Sequence, residues 1–189
     1  VGQVLELKQH FGSSDRGAGK KVQVEFVSAN PTGPLHIGHG RGAAYGDALA
    51  KILRVCGYDV HTEYYVNDAG RQMDILAVSV WLRCLQLHGV KLNFPEKAYQ
   101  GGYVSELAKG LDDSFVLSDL VVADNDDKEL ELDALIATAK DRLGAERFQT
   151  LHRLGLDSVL AGIRSDLESF GVEFDVWFSE RSLTEQGLV

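Results

Sequence analysis

Between Val22 and Val66 the chain reads strand, helix, strand, and that order leaves few folds open. Val22, Val24 and Phe26 alternate through VQVEFVS (22–28), the period of a half-buried strand. Pro31 and Pro34 break the chain into a loop over Ala29–Leu35, because proline lacks the N–H that a ladder or helix interior needs. From His36 to Gly57 the spacing predicts a helix. Ala44, Ala48, Ile52 and Val55 form its expected apolar stripe, and Gly57 sits where a C-terminal cap belongs. DVHTEYYV (59–66) then reads as a second strand. Two strands joined through a helix lie parallel, so the expected class is α/β with a parallel sheet. Ligands of such sheets sit beyond the carboxyl ends of the strands. That places residues 28–39 and 65–70 at one rim.

The flanks are read the same way. Val1–Gln9 is a short helical end, and FGSSDRGAG (11–19) is a flexible linker by composition. Asn67–Gly70 is a turn, or the start of the next helix, with Asp68 placed as an N-cap; Gln72–His88 is that helix, stopped by Gly89. Leu130–Thr150 is helical. Val159, Ile163, Leu167 and Phe170 mark one face of a further helix, ended by Gly171, and VEFDVWF (172–178) alternates like a strand. The expected division is a linker or tail over 1–20 and one sheet-based domain over 21–189. Within it, 21–75 is the strand–helix–strand unit and about 90–171 a mostly helical insertion.

Charge narrows the function classes. The net charge is −9, and it is uneven: residues 1–75 hold eight Lys/Arg and eight Asp/Glu, residues 76–189 eleven and twenty. Such a chain does not grip phosphates by bulk charge. Asp112–Asp133, with nine acids and one lysine, reads as a solvated face. Two cysteines, Cys56 and Cys84, exclude a disulfide scaffold and read as packing residues. No apolar run approaches the ~20 residues that span a bilayer. Val1–Lys21 carries no signal-peptide pattern, so no membrane role and a cytoplasmic location are expected.

The chemistry concentrates in EFVSANPTGPLHIGHGRGAAYG (25–46). His36 and His39 are three apart in the first helical turn and share a face. There the free backbone N–H groups and the helix dipole favour anions, phosphate above all. Gly38, Gly42 and Gly46 leave a bare stripe, which serves either close packing on the sheet or the approach of a flat base. Two other chemistries are weighed. His-x-x-His offers only two ligands, with no accompanying motif, so no metal site is expected. Gly38-x-Gly40-x-x-Ala43 fits a dinucleotide fingerprint by letter, with Asp59 about twenty residues on, but it begins ten positions after Ser28 where a tight turn is required.

His36-Ile37-Gly38-His39 is the HIGH signature of class I aminoacyl-tRNA synthetases and related nucleotidylyltransferases. VEFVSANPTGPLHIGHGRGAAYGD followed by EYYVNDAGRQ, and later FDVWFSERSL, resembles the bacterial arginyl-tRNA synthetase family, densely over 20–83. The resemblance implies the first half of a Rossmann-like catalytic domain with a helical insertion. It implies an arginine–tRNA ligase that makes arginyl-adenylate from L-arginine and ATP, with Mg2+, and charges tRNA(Arg). His36 and His39 match the catalytic, ATP-contacting pair, Gly38 the residue against which adenine lies, and Thr32 a further ATP position. Glu25, Ser28 and Asn30, with His36 and His39, match the arginine site, and Asp68 and Gln72 take supporting roles. Gly33 stands where some members carry a lysine, and no KMSK occurs in these residues. The chain is therefore expected to be a fragment without turnover by itself, from a family that is often monomeric. The alternatives are a small nucleotidylyltransferase with the same histidine pair, or a non-catalytic binding fragment.

Overall fold

The computed structural model describes residues 1–122 and 125–188. In chain order they form α1 (Gly2–Leu7), β1 (Lys21–Glu25), α2 (Ile37–Val55), β2 (Asp59–Val66), α3 (Arg71–Leu87), α4 (Gly102–Ala108), α5 (Lys128–Ser169), β3 (Val176–Ser179) and α6 (Arg181–Glu185). Two compact units result. The first takes residues 1–29, 35–67 and those from 165 onward; the second takes 30–34 and 68–164.

In the first unit three parallel strands run in the order β1-β2-β3. The expected strand–helix–strand unit is present, and β2 has the bounds read from the sequence, Asp59–Val66. The face toward α2 buries Val60, Tyr64 and Val66; the other carries Gln23, Glu25, His61 and Glu63, exposed or half-buried. β1 ends at Glu25, short of the expected Ser28, because Val27 and Ser28 turn left-handed at φ 66° and 39°. β3 starts at Val176 rather than at 172 because the Asp175 side chain takes a ladder position. Its Oδ2 accepts from the Thr62 N–H at 2.7 Å and from the Thr62 hydroxyl at 2.8 Å. Those bonds, with the Arg54 guanidinium at 3.1 Å, hold the Asp175 carboxyl below the usual carboxylate range.

The predicted apolar stripe of α2 is overturned. Ala44, Ala48, Ile52 and Val55 face solvent, Ile52 and Val55 being 61% and 53% exposed; the buried face is Ala43, Gly46 and Ala50. The helix packs by its small residues so that its backbone reaches the sheet. A Cβ on Gly46 would lie 2.2 Å from the Phe26 ring, whereas Gly42 meets nothing within 4 Å. The expected flexible linker also lies docked. Ser14, Gly17 and Gly19 donate to the carbonyls of Val55, Cys56 and Gly57 at 3.1, 2.8 and 2.9 Å. Gly17 is buried, and a Cβ there would meet Gly57 and Tyr58 backbone at 2.5 Å. Its composition reflects close approach to the end of α2.

Three helices stop where a glycine predicts it. Gly57, Gly89 and Gly171 adopt φ 86°, 83° and 78°. The next residue then donates back across the last turn: Tyr58 to Leu53, Val90 to Leu85 and Val172 to Leu167, at 3.2, 3.0 and 2.9 Å.

The second unit is built around α3, which is buried on nearly every side between Met73 and Leu85. Trp81 Nε1 donates to the Phe115 carbonyl at 2.8 Å. α5 is broken at Gly144 (φ 74°, ψ 167°), so the single helix expected over Leu130–Thr150 is two segments. Phe170 lies past the helix end and is 58% exposed, not on the buried face with Val159, Ile163 and Leu167. Within the acidic stretch, of which residues 123 and 124 lie outside the described residues, Asp112 and Asp127 accept from backbone N–H groups, Glu129 and Asp133 hold Arg71, and Asp119 holds Arg142. Exposed pairs of this kind each contribute little.

The packing reading of the glycine stripe is directly testable. Gly46→Ala is expected to lower the unfolding free energy by about 1–3 kcal/mol through overpacking against Phe26. Gly42→Ala, in open space on the same helix, should leave it unchanged or raise it by up to about 1 kcal/mol. Urea unfolding followed by circular dichroism reads both; equal losses would refute the assignment of Gly46 alone to packing.

Candidate active site

The chain leaves β1 through a strained turn. Val27 is β-branched and holds φ 66°, followed by Ser28 at 39°, conformations that each cost on the order of 1–3 kcal/mol. The Ser28 N–H donates to the Phe26 carbonyl at 2.9 Å, closing a three-residue turn. Ser28 Oγ accepts from the Tyr65 N–H at 3.1 Å, which by count leaves its O–H and a second lone pair. Ala29 follows, buried, with both its N–H and its carbonyl bonded to the Tyr64 hydroxyl at 3.0 and 3.1 Å. Glu25, the last residue of β1, is exposed on the sheet face away from α2, and its register partner is the half-buried Glu63. Glu63 was not picked out from the sequence. Strand alternation puts each carboxylate on a face, but only the parallel register puts the two side by side.

His36 and His39 build the start of α2. His36 is the N-cap: its Nδ1 accepts from the Gly38 N–H at 3.1 Å, while His39 Nδ1 accepts from the His36 N–H at 3.2 Å. This is a reciprocal capping box made of two imidazoles. Their rings stack with centroids 3.7 Å apart. A ring nitrogen that accepts carries no proton, so the hydrogen bonds assign the neutral tautomer with the proton on Nε2 to both rings. Two Nε2–H donors are thus presented at a helix N-terminus, where the backbone already favours an anion. Burial, then the neighbouring His36, push the His39 pKa below the ordinary imidazole value. A Cβ on Gly38 would lie 2.9 Å from the His36 ring, so the glycine makes room for that ring. Beside them, Leu35, Ile37, Gly38 and Arg41 face Leu167 and Phe170 across a cavity of about 630 Å³.

The remaining candidates belong to the second unit. Asn30 Nδ2 donates to Gln72 Oε1 at 2.9 Å, which brings those two together. The Thr32 N–H donates to the Asn30 carbonyl at 2.8 Å, and the Thr32 carbonyl accepts from the Tyr103 hydroxyl. Burial pushes the Tyr103 phenol up to about 12, so it keeps the proton it donates. A Cβ on Gly33 would lie 3.2 Å from that hydroxyl. Asp68 is buried, but it is not the cap of α3: the helix begins at Arg71 after Gly70, whose φ of 88° makes the entry turn. Tyr64 and Tyr103 carry no local sequence signal of these roles, because their bonding partners lie 35 and 71 positions away in the chain. Among the described residues no three His, Cys, Asp or Glu side chains stand close enough to hold a metal ion.

Residues 1–113 match the family described as tRNA synthetases class I (R), catalytic domain. The chain belongs to this family. The arginine–tRNA ligase of Thioalkalivibrio sulfidiphilus is 53% identical to it, over 100% of the chain and 34% of the ligase. That of Azoarcus is 54% identical, over 100% of the chain and 35% of the ligase. A solved structure from Campylobacter jejuni, assigned as an arginyl-tRNA synthetase, superposes with TM-score 0.70 at 33% identity, over 97% of this chain and 36% of that one. The Thermus thermophilus arginyl-tRNA synthetase shares the fold at TM-score 0.56 and 22% identity, over 96% and 27%. The chain spans about a third of the length of the curated relatives it matches.

In this synthetase domain the paired histidines give a titration signature. His39 should titrate below the ordinary imidazole value by NMR, and His36→Gln should move it only part of the way back, because burial is the larger cause. The sign for stability follows. A base whose folded pKa is depressed contributes fully above its unfolded pKa of about 6.5, and that contribution is lost as pH falls from there through the folded value. A His39 titration at or above the unfolded value would contradict the capping geometry.

Proposed function

We propose that these 189 residues carry the arginine- and ATP-facing part of an arginine–tRNA ligase. The observation that carries the reading is the pair of Nε2–H donors at the start of α2, in a chain of this synthetase family. In the reaction an arginine carboxylate oxygen attacks the α-phosphorus of ATP. The bond to pyrophosphate breaks, and arginyl-adenylate forms. A hydroxyl of the terminal tRNA adenosine then attacks the arginyl carbonyl and AMP leaves. No bond to the protein is made, so positioning and charge stabilisation carry the rate.

His36 and His39 donate to phosphate oxygens as charge grows on them. Gly38 leaves the backbone open to the adenine, and the cavity bounded by Ile37, Leu167 and Phe170 is large enough for a base. Thr32 is assigned to ATP as well. Ser28, Asn30 and Glu25 meet the polar groups of arginine: a carboxylate suits the guanidinium, and the serine and asparagine suit the α-amino end. Asp68 and Gln72 are assigned supporting roles, Gln72 by holding the Asn30 amide. Mg2+ comes with the nucleotide, as MgATP. The ligase acts on tRNA(Arg) in the cytoplasm. No described helix is long and apolar enough to cross a membrane, and with a net charge of −9 in these residues, the phosphate grip on tRNA comes from other parts of the ligase.

The test separates capping from chemistry. In the full-length ligase, His36→Asn keeps a short acceptor at the N-cap and removes the Nε2–H. It is expected to lower kcat for ATP–pyrophosphate exchange on the order of 10²-fold, with Tm unchanged and the KM for ATP little moved. His36→Ala should lose the same rate and in addition about 0.5–2 kcal/mol of stability. A raised KM with kcat intact would make the pair ground-state binders and refute the mechanism.

The 189-residue chain by itself is expected to show neither exchange nor tRNA charging, since its histidines reach the phosphates from one helix end alone. Assayed beside the full-length ligase, exchange within about tenfold of it would show that these residues suffice.

A further inference from the structure

We propose that Tyr64 is a positioning residue for the amino-acid substrate, its hydroxyl gripping both polar groups of Ala29 and so holding Ser28 in the orientation that receives arginine. The proposal rests on the assignment of Ser28 and Asn30 to arginine made above, and Ala29 is the residue between them.

The geometry isolates what the hydroxyl does. The Tyr64 ring is wholly buried, stacked on Trp177 at 4.2 Å and edge-on to Phe174 at 5.4 Å, with Phe26 against Phe174 at 4.4 Å. A phenylalanine would fill that space equally well, so packing gives no reason for the oxygen. The oxygen instead accepts the Ala29 N–H at 3.0 Å and donates to the Ala29 carbonyl at 3.1 Å. Its bonds reach one residue, 35 positions back in the chain, immediately after two left-handed residues. Such conformations persist only where the surroundings impose them. Burial pushes the phenol up to about 12, so the donated proton stays in place across the working range. Removing the hydroxyl leaves two buried backbone groups without that partner. The turn at Val27 and Ser28 is then free to relax toward ordinary wells, carrying the Ser28 hydroxyl away from its place. The histidine end of α2 takes no bond from Tyr64, so ATP contacts should be spared.

The experiment is arginine-dependent ATP–pyrophosphate exchange in the full-length ligase, with Tyr64→Phe, Ser28→Ala and the double variant. Tyr64→Phe is expected to raise the KM for arginine about tenfold and leave the KM for ATP within about twofold. The double variant should be no worse than Ser28→Ala alone, because both changes act through one hydroxyl. Thermal unfolding of Tyr64→Phe checks that the ring still seats. An unchanged KM for arginine overturns the proposal. A parallel rise in both KM values, or additive losses in the double variant, also overturns it in favour of a general structural role. Absence of arginine-dependent exchange in the unmodified ligase is a different failure: it removes the functional reading on which the proposal stands.

Discussion

The chain has to leave the carboxyl end of β1 and reach the start of α2 without a glycine at the bend, and this constraint organises the site. Val27 and Ser28 supply the bend at positive φ, where side chains are crowded by their own backbone. The bend survives because β2 holds it twice, through the Tyr65 N–H on Ser28 and the Tyr64 hydroxyl on Ala29. Tyr64 in turn is seated by Trp177 and Phe174, on and just before β3. β3 is locked to β2 where Asp175 takes over the Thr62 ladder position, across 113 residues of chain. The rim loop is thus only as well placed as the last strand.

The start of α2 shows how one pair of side chains serves structure and chemistry together. Each imidazole spends Nδ1 on the backbone and keeps Nε2–H for a ligand. The division works because the two nitrogens lie on different edges of a rigid ring, and because capping holds the tautomer. Protonation of Nδ1 would cost the cap, so the arrangement favours neutral rings that donate without carrying charge. The rings sit where they do because α2 approaches the sheet closely, through Ala43, Gly46 and Ala50 and not through its larger apolar residues.

Sequence alone determined what depends on neighbours a few residues apart. The bounds of β2, Asp59–Val66, are those read from the sequence. The ends of α2, α3 and α5 follow from Gly57, Gly89 and Gly171, since glycine alone adopts positive φ cheaply. The histidine pair at a helix start was legible from its spacing of three and from the prolines before it. Tertiary structure decided what depends on contacts far apart in the chain. Ile52 and Val55 look like core by period, yet face solvent, because the sheet accepts a flat face of small residues and rejects bulk. Ser14–Gly19 look flexible, yet dock on the end of α2, because glycine permits close approach as readily as disorder. Glu63 joins Glu25 only through parallel register, and Tyr64 shows its polar role only once Ala29 is brought to its hydroxyl. Local pattern carries the period of a side chain, while its partner is chosen by packing.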